Sequence, residues 1–346
     1  MPMARRDDIT ISRRGVLGLA AGAVASAALG ACGSTTKTST VPTSVAPVGL
    51  SGGRKVTIKT CVYAKNHASS MLYWQKFAPP GVTVTVTPVT STTEILQGLE
   101  GGTLDFGLMS PNIPMATQAK GGVTSKVVGM VARQGFGLIG KAGEVAKIED
   151  LRGKKIAVPP PGSLVLILNA LLARAGMSLG TGPTDVQGVP LGYADHLSAL
   201  TRGDVQGFMG TEPPCTQAVV NGIGVRLPGV FTTSLGDFNT ALWASSAMLK
   251  DDELCRATVR MQKAASEYLT PDGKNDRAIW RALLVDQFGY DEKVFSAVLD
   301  YVGAEWEFNQ ARQDQFVGTG KAMVASKDLA KEPDYEALYS RQYWKA

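Results

Sequence analysis

Strict alternation of apolar and polar residues is clearest in "GVTVTVTPV" (81–89), which puts valines on one face and threonines on the other and predicts a half-buried strand. Ahead of it, "VTIKTCVYA" (56–64) is rich in β-branched residues and predicts a strand, while "SSMLYWQKF" (69–77) spaces its apolar residues as a helix does. Behind it, Ser91 and Glu94 form an S-x-x-E capping box that opens a helix through Ile95, Leu96 and Leu99, ended by Gly101-Gly102. "LDFGLMS" (104–110) is the next strand. The order β-α-β-α-β predicts an open parallel sheet.

The same order then returns. "KKIAVPP" (154–160) predicts a strand, and "SLVLILNALLARAG" (163–176) a long helix stopped at Gly176. "TDVQGVP" (184–190), "ADHLSALTRG" (194–203) and "VQGFMGT" (205–211) complete a second set. A shift of 101 residues brings Leu96 onto Leu197, Leu99 onto Leu200, Gly102 onto Gly203, Leu104 onto Val205 and Ser110 onto Thr211. Few side chains are identical, so this is a repeat of architecture, and it predicts two similar α/β lobes.

"VVGMVARQGFGLIGKAG" (127–143) reads as extended chain leaving the first lobe, and "TTSLGDFNTALWASSAML" (232–249) as extended chain coming back. Only helices are expected after that. Lobe I is expected over 54–141 plus 235–346 and lobe II over 142–234, joined by a two-segment hinge around one cleft.

Ahead of this body, Arg5, Arg6, Arg13 and Arg14 form a basic stretch, and Gly15 to Ala31 carries no charge. A spanning helix needs about 20 apolar residues. This run is shorter and dominated by small residues, so residues 1–31 read as an export signal rather than a permanent anchor. Residues 33–53, rich in Ser, Thr, Gly and Pro, predict a flexible spacer that reaches roughly 70 Å when extended, with the body starting near Arg54.

Composition removes several function classes. The net charge is +5, and residues 1–31 hold four Arg against two acidic residues, so the rest of the chain carries +3 with no basic stripe. That excludes a nucleic-acid footprint. Two histidines, His67 and His196, argue against a His-based metal centre, and no metal or other cofactor is expected. G-x-S-x-G, HExxH and P-loop patterns are absent; "GTGKA" (318–322) has neither the P-loop spacing nor the Ser/Thr after its Lys. The cysteines are Cys32, Cys61, Cys215 and Cys255. If Cys32 is used elsewhere, the other three are expected as small buried hydrophobes, with Cys215–Cys255 the pair if any disulfide forms.

In open α/β sheets, ligands sit beyond the carboxyl ends of the strands and between lobes. The loops in question are "YAKNH" (63–67), "SPN" (110–112), "RQG" (133–135), "PPGS" (160–163), "TEPP" (211–214) and "GDFN" (236–239).

Two short motifs carry resemblances. "SRRGVLG" (12–18) resembles the twin-arginine export motif, with Val16 and Gly18 in place of its usual Phe and Lys. "LGAC" (29–32) resembles the bacterial lipobox, which implies cleavage before Cys32 and a diacylglyceryl thioether on its sulfur. From about residue 55 to 330, the stretches "LEGGTLDFGLMSP", "IEDLRGKKIAVPPPGS" and "HLSALTRGDVQGFMGTEPP" resemble solute-binding proteins of ABC importers for sulfonates, taurine, nitrate and thiamine-precursor pyrimidines. The resemblance implies a type II periplasmic-binding fold. It also implies capture of a small solute by lobe closure and delivery to a permease with its ATPase, by a monomer tethered outside the cell membrane through Cys32. It does not fix the ligand.

Within those loops, Ser163 opens a long helix after Gly162 and before Leu164, where first-turn N–H groups and a hydroxyl suit an anion, though a plain N-cap looks the same in sequence. Ser110 and Asn112 end a strand and can donate to the same group. Lys65, His67 and Arg133 are the available cations; Asn66, Gln134, Thr211, Asp237 and Asn239 complete the polar set. Glu212 points the other way, since a carboxylate accepts from an amine, an amide or a heterocycle N–H. Tyr63, Tyr193, Phe238 and Trp243 are candidate pocket walls. A sulfonate is therefore expected first, and an amino-substituted heterocycle or aromatic acid second. An enzyme on the same fold and a ligand-presenting sensor are the other classes open; the export signal argues against the enzyme.

Overall fold

The computed structural model describes residues 49–344. The expected export signal, the twin-arginine and lipobox motifs with Cys32, and the spacer up to residue 48 lie outside the described residues. The body starts earlier than Arg54. Leu50 is buried, and the Ser51 amide and hydroxyl donate to the Glu253 carboxylate at 2.7 and 2.8 Å. Arg54 then pairs with Asp251 at 2.6 Å.

Eleven strands form three sheets among the described residues. They are β1 (Val56–Tyr63), β2 (Val82–Val89), β3 (Phe106–Met109), β4 (Lys126–Gln134), β5 (Phe136–Lys141), β6 (Lys155–Val158), β7 (Gln187–Pro190), β8 (Gly207–Thr211), β9 (Gly224–Leu227), β10 (Phe238–Ala244) and β11 (Val302–Ala304). One sheet has the order β7-β6-β8-β5-β9, a second the order β11-β4-β10-β3, and β1 and β2 pair alone.

The first half therefore does not make one continuous sheet. Between β1 and β3 the ladder is replaced by Asp105: its amide donates to the Lys59 carbonyl at 2.8 Å, and its carboxylate accepts from the Lys59 amide at 2.8 Å. β2 is an edge strand, which explains why its alternation is only partly realised in burial: Val82 and Val89 are buried but Val84 and Val86 half-buried. Gln75 covers that edge, accepting from the Val84 amide at 2.8 Å.

Parallel pairing holds where the sequence order is β-α-β: β1 with β2, β6 with β7, and β6 with β8. The exceptions are the strands that cross. β5 runs antiparallel to β8 and β9, and β10 antiparallel to β3 and β4. The five-stranded and four-stranded sheets thus each hold one antiparallel strand supplied by the chain on its way between the two halves, β5 and β10, and β11 adds a further antiparallel partner to β4. The first crossing falls at Gly135, between β4 and β5, with Gln134 and Gly135 both at positive φ (55° and 77°). A lobe boundary after residue 141 would have left β5 with the first sheet, whereas its register puts it in the second.

The 101-residue shift holds in three dimensions. Gly102 and Gly203 both end their helices at positive φ (74° and 82°), where glycine carries no Cβ penalty. Strands β3 and β8 start at Phe106 and Gly207, and each is followed by a short helix, Asn112–Gln118 and Pro214–Val220. The capping box is rearranged: Ser91 Oγ accepts from the Glu94 amide at 3.2 Å, but the Glu94 carboxylate accepts from Thr90 rather than from Ser91. The C-terminal part is not all helical as expected, because β11, Val302–Ala304, pairs antiparallel with β4. Cys61, Cys215 and Cys255 are each free and buried, so Cys215 and Cys255 do not pair. No helix among the described residues is long and apolar enough to cross a membrane.

Candidate functional site

The carboxyl ends of β1, β3 and β8 open on a cavity of about 750 Å³, walled by residues from both halves of the chain. That volume is in the range of sites for drug-sized ligands, roughly 300–1,000 Å³. Its base is set by the repeat: Ser110 at the end of β3 and Thr211 at the end of β8 both face it.

Two helix N-termini converge there. Helix Ser163–Arg174 presents Gly162, Ser163 and Leu164, and helix Thr92–Glu100 presents Thr92. First-turn N–H groups have no intrahelical acceptor and carry the positive end of the helix dipole. Ser163 is not an N-cap. It is the first helical residue, and its hydroxyl donates to Asn112 Oδ1 at 3.4 Å, from one half of the chain to the other. Ser110 Oγ donates to the same Oδ1 at 3.2 Å. Asn112, 6% exposed, is therefore a brace behind the cavity that fixes two hydroxyls of its wall.

Lys65 is the one charged side chain among the residues of the cavity wall. The Tyr290 hydroxyl donates to its carbonyl at 3.1 Å, tying the turn Phe288–Gly289–Tyr290 over the same wall. Tyr63 shares a hydrogen bond with Thr92 Oγ1 at 3.0 Å. Burial pushes the phenols of Tyr63 and Tyr193 up, that of Tyr193 to about 12, so both stay neutral at physiological pH. Phe136, Phe238 and Phe288 add apolar surface. No carboxylate lines the cavity among the described residues.

Of the residues expected from sequence, Tyr63, Lys65, Asn66, Ser110, Gly162, Ser163, Leu164, Thr211 and Asn239 stand in the wall. Others lie behind it or away from it. His67 is 2% exposed, and burial lowers its pKa to about 4 against a smaller opposing pull from the Glu212 backbone; it is a neutral ring, not a cation. It occupies the space that a Cβ on Gly135 would need, its Nε2 lying 1.8 Å from that position. Gln134 is used by the crossing, its amide donating to the Asp237 carbonyl at 2.7 Å.

Glu212 is fully buried and turned away from the cavity. Its carboxylate accepts from the Thr216 amide at 3.0 Å and from the guanidinium of Arg226, which itself stacks on the Tyr301 ring at 3.8 Å. Burial raises the pKa of Glu212, and Arg226 pulls against that. Asp237 pairs with Arg312; burial works against its charge, but hydrogen bonds from Arg312 and Gln315 hold its carboxyl below the usual range. Arg133 donates to the Gly273 carbonyl at 3.3 Å, and Trp243 is core, with Nε1 donating to the Met109 carbonyl. Sequence reasoning missed Phe136, Gln217, Phe288 and Tyr290 in the wall. It also missed Thr92, although the 101-residue shift that brings Ser110 onto Thr211 carries Thr92 onto Tyr193.

Residues 61–284, well over half of the chain, match the NMT1-like family. The chain belongs to that family. No curated protein matches it in sequence. Among solved structures it is similar to the alkanesulfonate-binding protein SsuA of Xanthomonas axonopodis pv. citri bound to MOPS, with a TM-score of 0.68 at 19% identity over 83% of this chain and 99% of that one. The periplasmic nitrate-binding protein NrtA of Synechocystis PCC 6803 gives 0.67 at 14% identity, over 84% of this chain and 88% of that one. The ligand-binding component of an ABC-type import system from Staphylococcus aureus gives 0.69 at 15%, over 84% and 98%. At these identities the likeness establishes the fold of this chain alone: the α/β frame of periplasmic binding proteins. Among the described residues no His, Cys, Asp and Glu side chains gather as a metal site.

Proposed function

We propose that this NMT1-like protein is an extracytoplasmic solute-binding protein of an ABC importer, tethered through a lipid on Cys32. It captures a small organic anion of the sulfonate class between two closing lobes, the hinge passing through Gly135 and through residues 228–237. The observation that carries this reading is the make-up of the cavity among the described residues: one cation, Lys65, and the first-turn N–H groups of the helix that Ser163 opens, with no carboxylate in the wall. Charge-assisted hydrogen bonds from such donors suit a sulfonate. The aromatic walls and a volume far beyond that of a four-atom anion favour a solute with an apolar body over nitrate. The amino-heterocycle alternative rested on Glu212, whose carboxylate is taken by Arg226, and loses its support.

Thermal-shift and calorimetric titration with aliphatic and aromatic sulfonates, the matching carboxylates, nitrate and pyrimidines test the reading. A rise in melting temperature with sulfonates is expected, since a ligand that binds only the folded state stabilises it. If no anion of the set raises it, the solute-binding assignment fails. The tether is tested separately by labelled-lipid incorporation, which Cys32→Ala should abolish.

A further inference from the structure

The two asparagines of the cavity wall are locked in opposite senses by the backbone. Asn66 Oδ1 accepts from the Ala68 amide at 2.9 Å, so its nitrogen, a donor, is left for the cavity. Asn239 is held the other way. Its nitrogen donates to the Gln134 carbonyl, which can only accept, and lies 3.3 Å from His67 Nε2. Burial keeps that ring neutral, so one of its nitrogens carries no hydrogen; in the tautomer protonated at Nδ1 it is Nε2 that takes the second amide hydrogen. The bond to the Gln134 carbonyl by itself fixes the sense of the Asn239 amide, and Oδ1 accepts from no donor among the described residues while its residue faces the cavity. The amide cannot rotate to offer a donor without setting its oxygen against the Gln134 carbonyl oxygen.

We infer that Asn239 is a specificity-determining residue: it presents a fixed hydrogen-bond acceptor that selects solutes carrying an N–H or O–H donor apart from their anionic group. This deepens, and rests on, the proposal that the cavity takes a sulfonate-type anion. The donor end meets Asn239, and the anionic end meets Lys65 and the first-turn N–H groups at Ser163. The selection is tied to the hinge, because the groups that lock Asn239 are the last residue before the crossing and the ring that fills the space beside Gly135. A solute without a donor there leaves Oδ1 desolvated and unpaired, which costs more than the mean worth of one hydrogen bond.

The test compares solutes of matched shape. Calorimetric titration with para-aminobenzenesulfonate against para-toluenesulfonate, and with taurine against propanesulfonate, exchanges a donor for a methyl group. In at least one pair the amino member is expected to bind about tenfold more tightly. In Asn239→Leu, checked for fold by circular dichroism, the preference should vanish: the amino member weakens, and the methyl member, which no longer strands Oδ1, binds more tightly than in the wild type. Equal affinities within both pairs in the wild type overturn the inference while leaving the anion reading intact. So does an equal loss of both members in the variant, which marks Asn239 as merely structural. Failure of all four solutes to bind overturns the anion reading and this inference with it.

Discussion

Two loops that occupy equivalent places in the repeat behave differently. After β3 the chain reads Ser110-Pro111-Asn112; after β8 it reads Thr211-Glu212-Pro213. The first residue of each faces the cavity. In the first loop the next polar side chain, Asn112, turns toward the cavity wall and braces two of its serines. In the second, Glu212 turns into the protein and meets Arg226 and Thr216. The loops are equivalent but the two polar residues are not, since the shift sets Asn112 on Pro213 and Glu212 on Pro111. One loop braces the cavity wall, the other holds the second sheet together. A polar residue at a strand end is a ligand contact only when no internal partner has claimed it.

The sharpest way to break that comparison is to remove the internal partner. Arg226→Ala leaves Glu212 fully buried without its counter-charge, and breaking a buried ion pair from one side costs about 3–5 kcal/mol. The urea midpoint should fall accordingly, while the affinity of the folded protein for a sulfonate changes by less than about threefold. The converse result, lost binding at unchanged stability, would put the pair in the site and remove the distinction between the loops.

The second loop also rests against a titratable group that the first lacks. His67 lies by the Glu212 backbone and under Gly135, with a folded pKa of about 4 against about 6.5 when unfolded. The unfolded chain therefore binds the extra proton over that interval, so stability rises with pH there. His67 contributes fully above about pH 6.5, and roughly 3 kcal/mol is lost as the pH falls toward 4. His67→Gln should flatten the wild-type decline in melting temperature between those limits. An unchanged decline would show that other groups, among them the buried His196, carry it.

Much of this frame was legible because local pattern and tertiary demand agree. The repeat could be read from leucines at helical spacing and glycines at helix ends, both of which answer to burial and to φ. The crossing strands could be read as extended but not as antiparallel, because direction depends on which sheet receives them. β11 was hidden by its length: three residues following a helix have no period of their own. The site was legible as a set of loops and not as a set of orientations. Arg226 is 14 residues beyond Glu212 on another strand, and nothing in the spacing announces their meeting. Phe288 and Tyr290 follow helices packed far along the chain, so only the folded molecule brings them over Lys65.

The smallest expected effect is the most informative about the first loop. Asn112→Ala removes the acceptor shared by Ser110 and Ser163 without taking away either hydroxyl. Each serine is then free to rotate, and a neutral hydrogen bond of this kind contributes about 1 kcal/mol, so losing two should lower stability by about 2 kcal/mol. Sulfonate affinity should rise by up to about tenfold, near 1.4 kcal/mol, because neither hydroxyl hydrogen then has to leave Asn112 to meet the solute. Calorimetry and a urea titration on the same variant separate the two quantities. A loss of stability with unchanged affinity would make Asn112 a structural group like Glu212, and the two loops would then differ only in which partner each has found.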